Sequence, residues 1–465
     1  MKQRADGGPP GGGAPFRAIV LPGPQILRGV VGAQPSKNYT TRRLLVAALA
    51  KGESIVRNAA LSDDSEAMTR CLRTLGAEVE VRENGDGSAD VRINGFGATP
   101  KPTGPLAVGN AGAVLRFLLA VGALCEEAHF ETDRPDSLGK RPNADLLDAL
   151  AQLGASTSSN HGRLPITIRG GAGVLRGGQV RISGERSSQF LSGLLFVAPL
   201  IGRPLEIIVT EKLVSREPVR QTIEVMADAG VTVEVSDDLM HFRVQPQPYQ
   251  AGEFRVNGDW PGSAALLAAG AITADGIAIE GLLDDNQGER AAADVLSAMG
   301  ASLTRHEHEI RVARAPLTAV DFDGDTATDA VLALMGPACF AQGTSRFHNV
   351  ANLRLKECDR ITEPLVELRK IGVHCEEGRD CGDEDPDAII IHGNPAGYEG
   401  GVVVDGRRDH RVIMLLTEVG LRCTRGLTIS GAEHVAKSYP RFFDDMIRLG
   451  ARIRFEPESP TGVAL

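Results

Sequence analysis

The sequence predicts an α/β protein of two similar domains, each carrying three copies of one mixed helix-and-strand unit. Three observations predict it: the length, a composition rich in glycine and poor in aromatics, and a phrase that recurs six times. The 465 residues exceed one ordinary domain and fit two large domains, or three of about 150 residues. Fourteen Phe, four Tyr and one Trp against 54 Gly suit an aliphatic core joined by many tight turns. The phrase is an amphipathic helical stretch ending in a small or apolar residue, then Gly, then Ala or Val, then alternating strand residues. It centres on Gly76, Gly154, Gly230, Gly300, Gly372 and Gly450, at spacings of 78, 76, 70, 72 and 78 residues.

Each copy has the same local logic. A glycine just past the last helical residue accepts the positive φ that ends a helix. The chain then alternates as a strand, as in Glu78-Val79-Glu80-Val81 and Thr232-Val233-Glu234-Val235. Periods this long need more than one helix and several strands per unit, and six units divide as three plus three. The polar stretch Gln245–Gly252, holding two prolines and followed by the strand-like Glu253–Val256, marks the connection between halves. Two similar domains would hold a ligand cleft between them.

Composition excludes several function classes. Fifty Lys and Arg against 60 Asp and Glu give a net charge of −10, which disfavours nucleic-acid and anionic-membrane partners. Seven scattered cysteines without a CxxC pair suggest neither a disulfide framework nor a zinc site. Residues 1–15 are charged and Gly/Pro-rich without an apolar core, so they read as a disordered tail and not a signal peptide. No apolar run reaches the roughly 20 residues that span a bilayer, and Val114–Cys125 carries Arg116. A cytoplasmic monomer is expected.

Six stretches concentrate polar residues beside glycine or at helix starts. Lys37-Asn38-Tyr39-Thr40-Thr41-Arg42 runs into the apolar helix Leu44–Leu49. It is either a solvated basic helix start or an anion site, since helix N-termini attract anions. Gly109-Asn110-Ala111-Gly112-Ala113 leads into the helix Val114–Leu124, as a tight turn or as backbone that lets a phosphate or carboxylate approach. In Arg186-Ser187-Ser188-Gln189, capping accounts for one polar residue of the last three. Alternation in Asn352–Lys356 places Asn352, Arg354 and Lys356 on one face, and Glu357 then opens a helix with Arg360 one turn on. Asp329 stands before another apolar helix. Such acids are helix caps or, beside Lys and Arg, poised acids and bases. Asp409-His410-Arg411 and Lys437-Ser438-Tyr439-Pro440 complete the set. No G-x-G-x-x-G or G-x-S-x-G motif occurs at these glycines, and His306 and His308, at i, i+2, read as an exposed strand face and not a metal site.

Taken together, these motifs resemble the 5-enolpyruvylshikimate-3-phosphate synthase family over about Leu21 to Phe455. The matches, in order, are Lys37–Arg42, Asn110-Ala111-Gly112, Arg141-Pro142, Ser187-Ser188-Gln189, Asp329, Asn352, Lys356-Glu357 with Asp359-Arg360, Asp409-His410-Arg411, and Lys437. The resemblance implies an inside-out α/β barrel in each domain, built from three β-α-β-α-β-β units, with the active site in the interdomain cleft. It implies an N-terminal domain over 36–256 and a discontinuous C-terminal domain over 16–35 plus 257–465. The implied reaction moves the enolpyruvyl group of phosphoenolpyruvate to the 5-hydroxyl of shikimate 3-phosphate, with no metal or organic cofactor. Lys37, Asn38, Arg42, Ser187, Ser188, Gln189, Ser215, Asp329, Asn352 and Lys356 would hold shikimate 3-phosphate. Lys37, Gly112, Arg141, Gln189, Arg360, Arg411 and Lys437 would hold phosphoenolpyruvate. Asp329 would be the base, Glu357 the acid, and Lys37 would lie between the substrates.

Departures from the family pattern fall around the charged set and not within it. Asn38 replaces a serine, Ala113 a threonine, Pro218 an aromatic, and Pro261-Gly262 a serine pair. Asn38 and Ala113 would border the subsite of glyphosate, a phosphoenolpyruvate mimic, so weaker inhibition is expected. The alternatives are an inactive paralogue, an RNA-end-processing relative, or the sister transferase acting on UDP-N-acetylglucosamine. That last enzyme needs a cysteine which Arg134–Lys140 lacks.

Overall fold

The computed structural model describes residues 14–171, 173–306 and 309–458. Residues 1–13 of the expected tail lie outside the described residues, as do Glu307 and His308 of the set-aside histidine stretch. The chain separates into two compact units, Pro35–Asn257 and the residues up to Gln34 together with Gly258 onward.

The unit Pro35–Asn257 contains helices α1 (Lys37–Leu49), α2 (Asp63–Thr74), α3 (Gly112–Gly122), α4 (Ala144–Gln152), α5 (Ser188–Val197) and α6 (Glu217–Asp228), with three four-stranded sheets. Its middle copy shows the repeat. Strand Leu106–Ala107, α3, strand Ala128–Glu131, α4, and strands Ser156–Asn160 and Arg163–Arg169 follow in order. In space the first strand pairs parallel to the second, which pairs antiparallel to the last, leaving Ser156–Asn160 at the edge. The expected β-α-β-α-β-β unit is therefore what forms. Among the described residues, each of the six sheets carries one parallel and two antiparallel pairings.

The other unit contains α7 (Trp260–Thr273), α8 (Ala291–Ala298), α9 (Val331–Ala338), α10 (Thr362–Ile371), the short α11 (Gly378–Cys381), α12 (His410–Gly420) and α13 (Phe442–Arg448). Strand Phe16–Val20 lies between Leu427–Ser430 and Ile453–Pro457, antiparallel to both. Strand Leu27–Gly32 pairs parallel with Ala274–Glu280. The start of the chain thus supplies strands to two sheets of the C-terminal unit.

Two kinds of helix alternate, for a reason visible in the sequence. Every residue of α7, α9 and α12 is buried, and these three pack on one another. A helix apolar on all sides must be interior. By contrast, α10 buries only Pro364, Leu365, Glu367, Leu368 and Ile371, an outer helix with one apolar face. The scarcity of aromatics follows, because Ala, Gly and Leu let the inner helices approach closely.

The six phrase glycines stand where expected. Gly76, Gly154, Gly230, Gly300, Gly372 and Gly450 have φ of 103°, 101°, 78°, 101°, 102° and 103°. After each outer helix the next residue's N–H reaches back to close the turn, as in Ala77 N–H to the Leu72 carbonyl and Ala301 N–H to that of Leu296, both 3.0 and 2.9 Å respectively. This is the Schellman ending, which satisfies carbonyls the helix leaves open.

Some local expectations fail. Asn352, Arg354 and Lys356 do not alternate along a strand, and Glu357 opens no helix. Ala351–Leu355 is a 3-10 turn, and α10 begins at Thr362. The Asp359 carboxylate accepts the N–H groups of Ile361 and Thr362, which moves the cap beyond Glu357. Arg354 is drawn to Asp359, Glu377 and Asp387, at 2.8, 2.6 and 2.7 Å, and serves as a structural clamp. Helices α1 and α3 also begin earlier than expected, at Lys37 and Gly112. In the stretch Gln245–Gly252, Tyr249 is buried and its hydroxyl donates to the Phe196 carbonyl at 2.9 Å.

Candidate active site

The inner helices carry several of the predicted residues at their N-terminal ends. In the unit Pro35–Asn257, Ser36 caps α1, and Lys37 is its first helical residue. Lys37 Nζ lies 3.1 Å from Oδ2 of Asp64, itself buried in the first turn of α2. Five residues on, Arg42 is inside the helix and 1% exposed. Its Nε donates to Thr222 Oγ1, Nη1 to the Asn38 carbonyl and Nη2 to the Pro218 carbonyl, each at 3.0 Å, and it lies over the Phe117 ring. Burial without a carboxylate lowers its pKa to about 10, with Tyr39 acting weakly the other way. Three of its five donors are spent on the protein, leaving two.

Helix α3 begins after Ala111, whose side chain offers no cap hydrogen bond, so its first N–H groups are open to an anion. A Cβ added at Gly112 would sit 2.8 Å from Arg141 Nη1. Glycine there leaves room for the guanidinium to lie against the helix start. One turn along α3, Arg116 Nη1 donates to Ser187 Oγ at 3.0 Å and to Gln189 Oε1 at 2.7 Å, while its guanidinium covers Phe190. Ser187 caps α5 by accepting the Gln189 N–H, and Ser188 is buried. Ser215 holds φ of 52°, a conformation unfavourable for serine and common where a site imposes it.

In the C-terminal unit the site is built around Arg360, 2% exposed. Its Nε and Nη2 donate to Asp409 at 2.7 and 3.1 Å, Nη1 to Asp329 at 2.9 Å, and Nη2 also to Glu357 at 2.8 Å. Burial alone would lower the guanidinium's pKa, but Asp409, Glu357 and Asp329 together raise it well above its ordinary value. The other oxygen of Glu357 accepts from Lys437 Nζ at 2.5 Å. Asp409 also caps α12 by accepting the Arg411 N–H at 2.8 Å, and Arg411 Nη1 donates to the Pro261 carbonyl at 2.7 Å. Asn352 Nδ2 donates to Thr328 Oγ1, and Lys356 ends the 3-10 turn, half-buried.

The structure thus groups Lys37 with Asp64, Gly112 with Arg141, and Ser187 with Gln189 in one unit. In the other it groups Asp329, Glu357, Arg360, Asp409 and Lys437. Three participants escape a sequence reading. Asp64 looks like an ordinary helix-start acid. Arg116 had a signal, a lone charge in an apolar helix one turn past a glycine start. Glu289 had none, in Gln287-Gly288-Glu289. It is buried, its Oε1 accepts the Asp329 N–H at 3.4 Å, and burial, reinforced by Asp329, pushes its pKa up to about 7.

Two acids, Asp329 and Glu357, are thus held on one buried guanidinium beside Lys437, in a chain built of two three-repeat units. Among solved structures, EPSP synthase from Acinetobacter baumannii superposes with a TM-score of 0.79, at 24% identity, covering 95% of this chain and all of that one. The enolpyruvyl transferase NikO from Streptomyces tendae gives 0.74 at 17% identity, covering 96% of this chain and all of that one. Both show the fold. The sequence pattern described as EPSP synthase (3-phosphoshikimate 1-carboxyvinyltransferase) matches residues 21–446. A 3-phosphoshikimate 1-carboxyvinyltransferase from Deinococcus radiodurans is 48% identical over 445 residues, 95% of this chain and 98% of that one. One from Burkholderia pseudomallei is 36% identical, covering 92% and 93%. The chain belongs to the EPSP synthase family.

Proposed function

We propose that this chain transfers the enolpyruvyl group of phosphoenolpyruvate to the 5-hydroxyl of shikimate 3-phosphate and releases phosphate. The observation that carries the reading is the suspension of Asp329 and Glu357 on two nitrogens of Arg360, with Lys437 on the far oxygen of Glu357. One fork fixes the two carboxylates relative to each other and keeps both ionisable.

Addition begins when Asp329 takes the proton of the 5-hydroxyl as its oxygen bonds to C2 of phosphoenolpyruvate. Glu357 delivers a proton to C3, making a methyl group on a tetrahedral carbon. In elimination Glu357 takes a proton back from that methyl, the C2–C3 double bond re-forms, and the C2–O bond to phosphate breaks. The departing phosphate receives the proton held by Asp329. Both acids end as they began, and the atoms balance without an oxidant, reductant or cofactor.

The remaining residues bind. Both substrates are multiply anionic, which calls for several fixed cations. Arg141, Arg360, Arg411 and Lys437, with the Gly112 backbone, would hold phosphoenolpyruvate, and Lys37 would lie between the substrates. The open start of α3 beside Arg141 supports the phosphate assignment. Arg42, Asn38, Ser187, Ser188, Gln189, Ser215, Asn352 and Lys356 would hold shikimate 3-phosphate. Because Arg360 already bonds three carboxylates, its contribution to the ligand is the donor that remains plus its charge. Arg116, fixed on Ser187 and Gln189, would orient both.

Purified protein given shikimate 3-phosphate and phosphoenolpyruvate should release phosphate, and UDP-N-acetylglucosamine should not replace the shikimate. The reverse preference would overturn the reading. A cytoplasmic monomer acting on small molecules is part of the same reading. The net charge of −10 supports the exclusion of polyanions, and no described helix is long and apolar enough to cross a membrane. Sedimentation at micromolar concentration tests the monomer. Asn38 and Ala113 support weakened glyphosate inhibition, and a submicromolar inhibition constant at low phosphoenolpyruvate would contradict it.

A further inference from the structure

The C-terminal unit carries a second constellation, on the solvent face of the sheet formed by Asp321–Asp323, Thr344–His348, Ile389–His392 and His374–Glu377 in that spatial order. Strand His374–Glu377 is an edge. Cross-strand pairing places Thr344, His392 and His374 in one row over three adjacent strands. Glu376, two residues beyond His374, returns to the same face because side chains alternate. The His374 and His392 rings stack at 4.1 Å with planes 20° apart. One ligand atom from each of His374, Glu376 and His392 lies within 4.8 Å of the other two.

We propose that His374, Glu376 and His392 bind a divalent transition-metal ion of the zinc type. Two imidazoles and a carboxylate are a donor set such ions favour, and three protein ligands leave a fourth position for water. Two polar contacts of His392 bear on this. Its Nε2 lies 3.1 Å from Glu376 Oε1, and its Nδ1 lies 3.0 Å from Thr344 Oγ1. With the proton on Nδ1, donated to the threonine hydroxyl, Nε2 presents its lone pair beside a carboxylate oxygen. A cation between them replaces the Nε2 proton that otherwise joins them, and the Thr344 hydroxyl, which accepts as well as donates, then takes the hydrogen bond of Nδ1–H. Bonds of about 2.0–2.2 Å bring tetrahedral ligand atoms to roughly 3.4 Å. Side-chain rotation on an exposed face supplies the closure from the present spread.

None of these residues belongs to the proposed reaction site, and the inference does not rest on that reading. An ion here would join the edge strand His374–Glu377 to its neighbour Ile389–His392. It stabilises the folded state by an amount that grows with the logarithm of the ion concentration once that exceeds the dissociation constant.

The full chain, washed with chelator, is titrated with Zn²⁺ by calorimetry and with Co²⁺ by visible absorption, and melted with and without Zn²⁺. The expected result is saturable uptake of one ion, a Co²⁺ spectrum of four- or five-coordination, and a higher melting temperature with Zn²⁺. His392→Ala and His374→Gln should each weaken uptake at least tenfold and abolish the thermal shift, while melting like the parent without metal. Thr344→Val should weaken uptake by a smaller factor than either. No uptake below millimolar Zn²⁺, or uptake unchanged in His392→Ala, would overturn the proposal.

Discussion

Arg360 sets the terms at the scale of single residues, because three carboxylates meet on its one guanidinium. Where the equally buried Arg42 is met by a hydroxyl and two carbonyls, Arg360, 2% exposed, is surrounded by the carboxylates of Asp329, Glu357 and Asp409. Under the proposed roles, Glu357→Gln keeps the shape and loses the proton carrier. Phosphate release should fall roughly 10²- to 10⁴-fold; full turnover would contradict the assignment. Glu418 poses a different test. It is wholly buried on α12, and neither carboxylate oxygen has a hydrogen-bond partner among the described residues. Burial, only partly countered by Arg411, pushes its pKa well above the ordinary value. The folded state therefore holds a proton that the unfolded chain releases above about pH 4.5, so folding loses stability as pH rises from there. Glu418→Gln should gain on the parent between pH 5 and 8 in denaturant titrations, with the gap widening as pH rises. The residue types at the site were legible in the sequence because glycine and charge beside apolar helix starts are unusual. Asp64 and Glu289 were not, since their partners, Lys37 and Asp329, lie 27 and 40 positions away along the chain.

At the scale of elements, the site residues belong to helix starts and to the turns that precede them. Lys37, Gly112, Ser188 and His410 each occupy the first helical position of an inner helix, and Asp329 lies just before another. An inner helix offers little but its end, because its flanks are packed. Gly112→Ala tests one such end. The new methyl would meet the tip of a flexible side chain, Arg141 Nη1 at 2.8 Å, so the fold should tolerate it while the guanidinium moves. The KM for phosphoenolpyruvate should rise several-fold with little change in melting temperature. Gly154→Ala makes the opposite comparison. It forces a side chain into φ of 101° and within 2.8 Å of the Val174 carbonyl, so it should lower stability by at least roughly 1 kcal/mol. The repeat was legible because a helix ending in a Schellman turn imposes glycine at one fixed place. The segment Asn352–Glu357 misled because its alternating polarity reflects an ion cluster around Arg354 and a cap at Asp359, and neither has a period.

At the scale of the whole molecule, the sequence carried the number of repeats, since each writes the same glycine. It carried the sheet order less well: which strand joins which sheet depends on pairing over more than 400 residues, as between Phe16–Val20 and Leu427–Ser430. A chain limited to residues 35–257 contains complete sheets and should melt cooperatively. Residues 258–465 alone lack the strand between Leu427–Ser430 and Ile453–Pro457, and should stay protease-sensitive until a peptide covering 14–34 is added. Cooperative folding of 258–465 by itself would count against that division of labour. The same strand also orders events in time. Phe16–Val20 leaves the ribosome well before its partners, which are made 407 or more residues later. At about 5–20 residues per second it waits roughly 20 to 80 s while the unit between folds. An apolar strand without a sheet for that long is a natural client for a chaperone. Since Phe16 finishes beside Pro457, a circular permutant that moves this strand to the far end of the chain would remove the wait altogether.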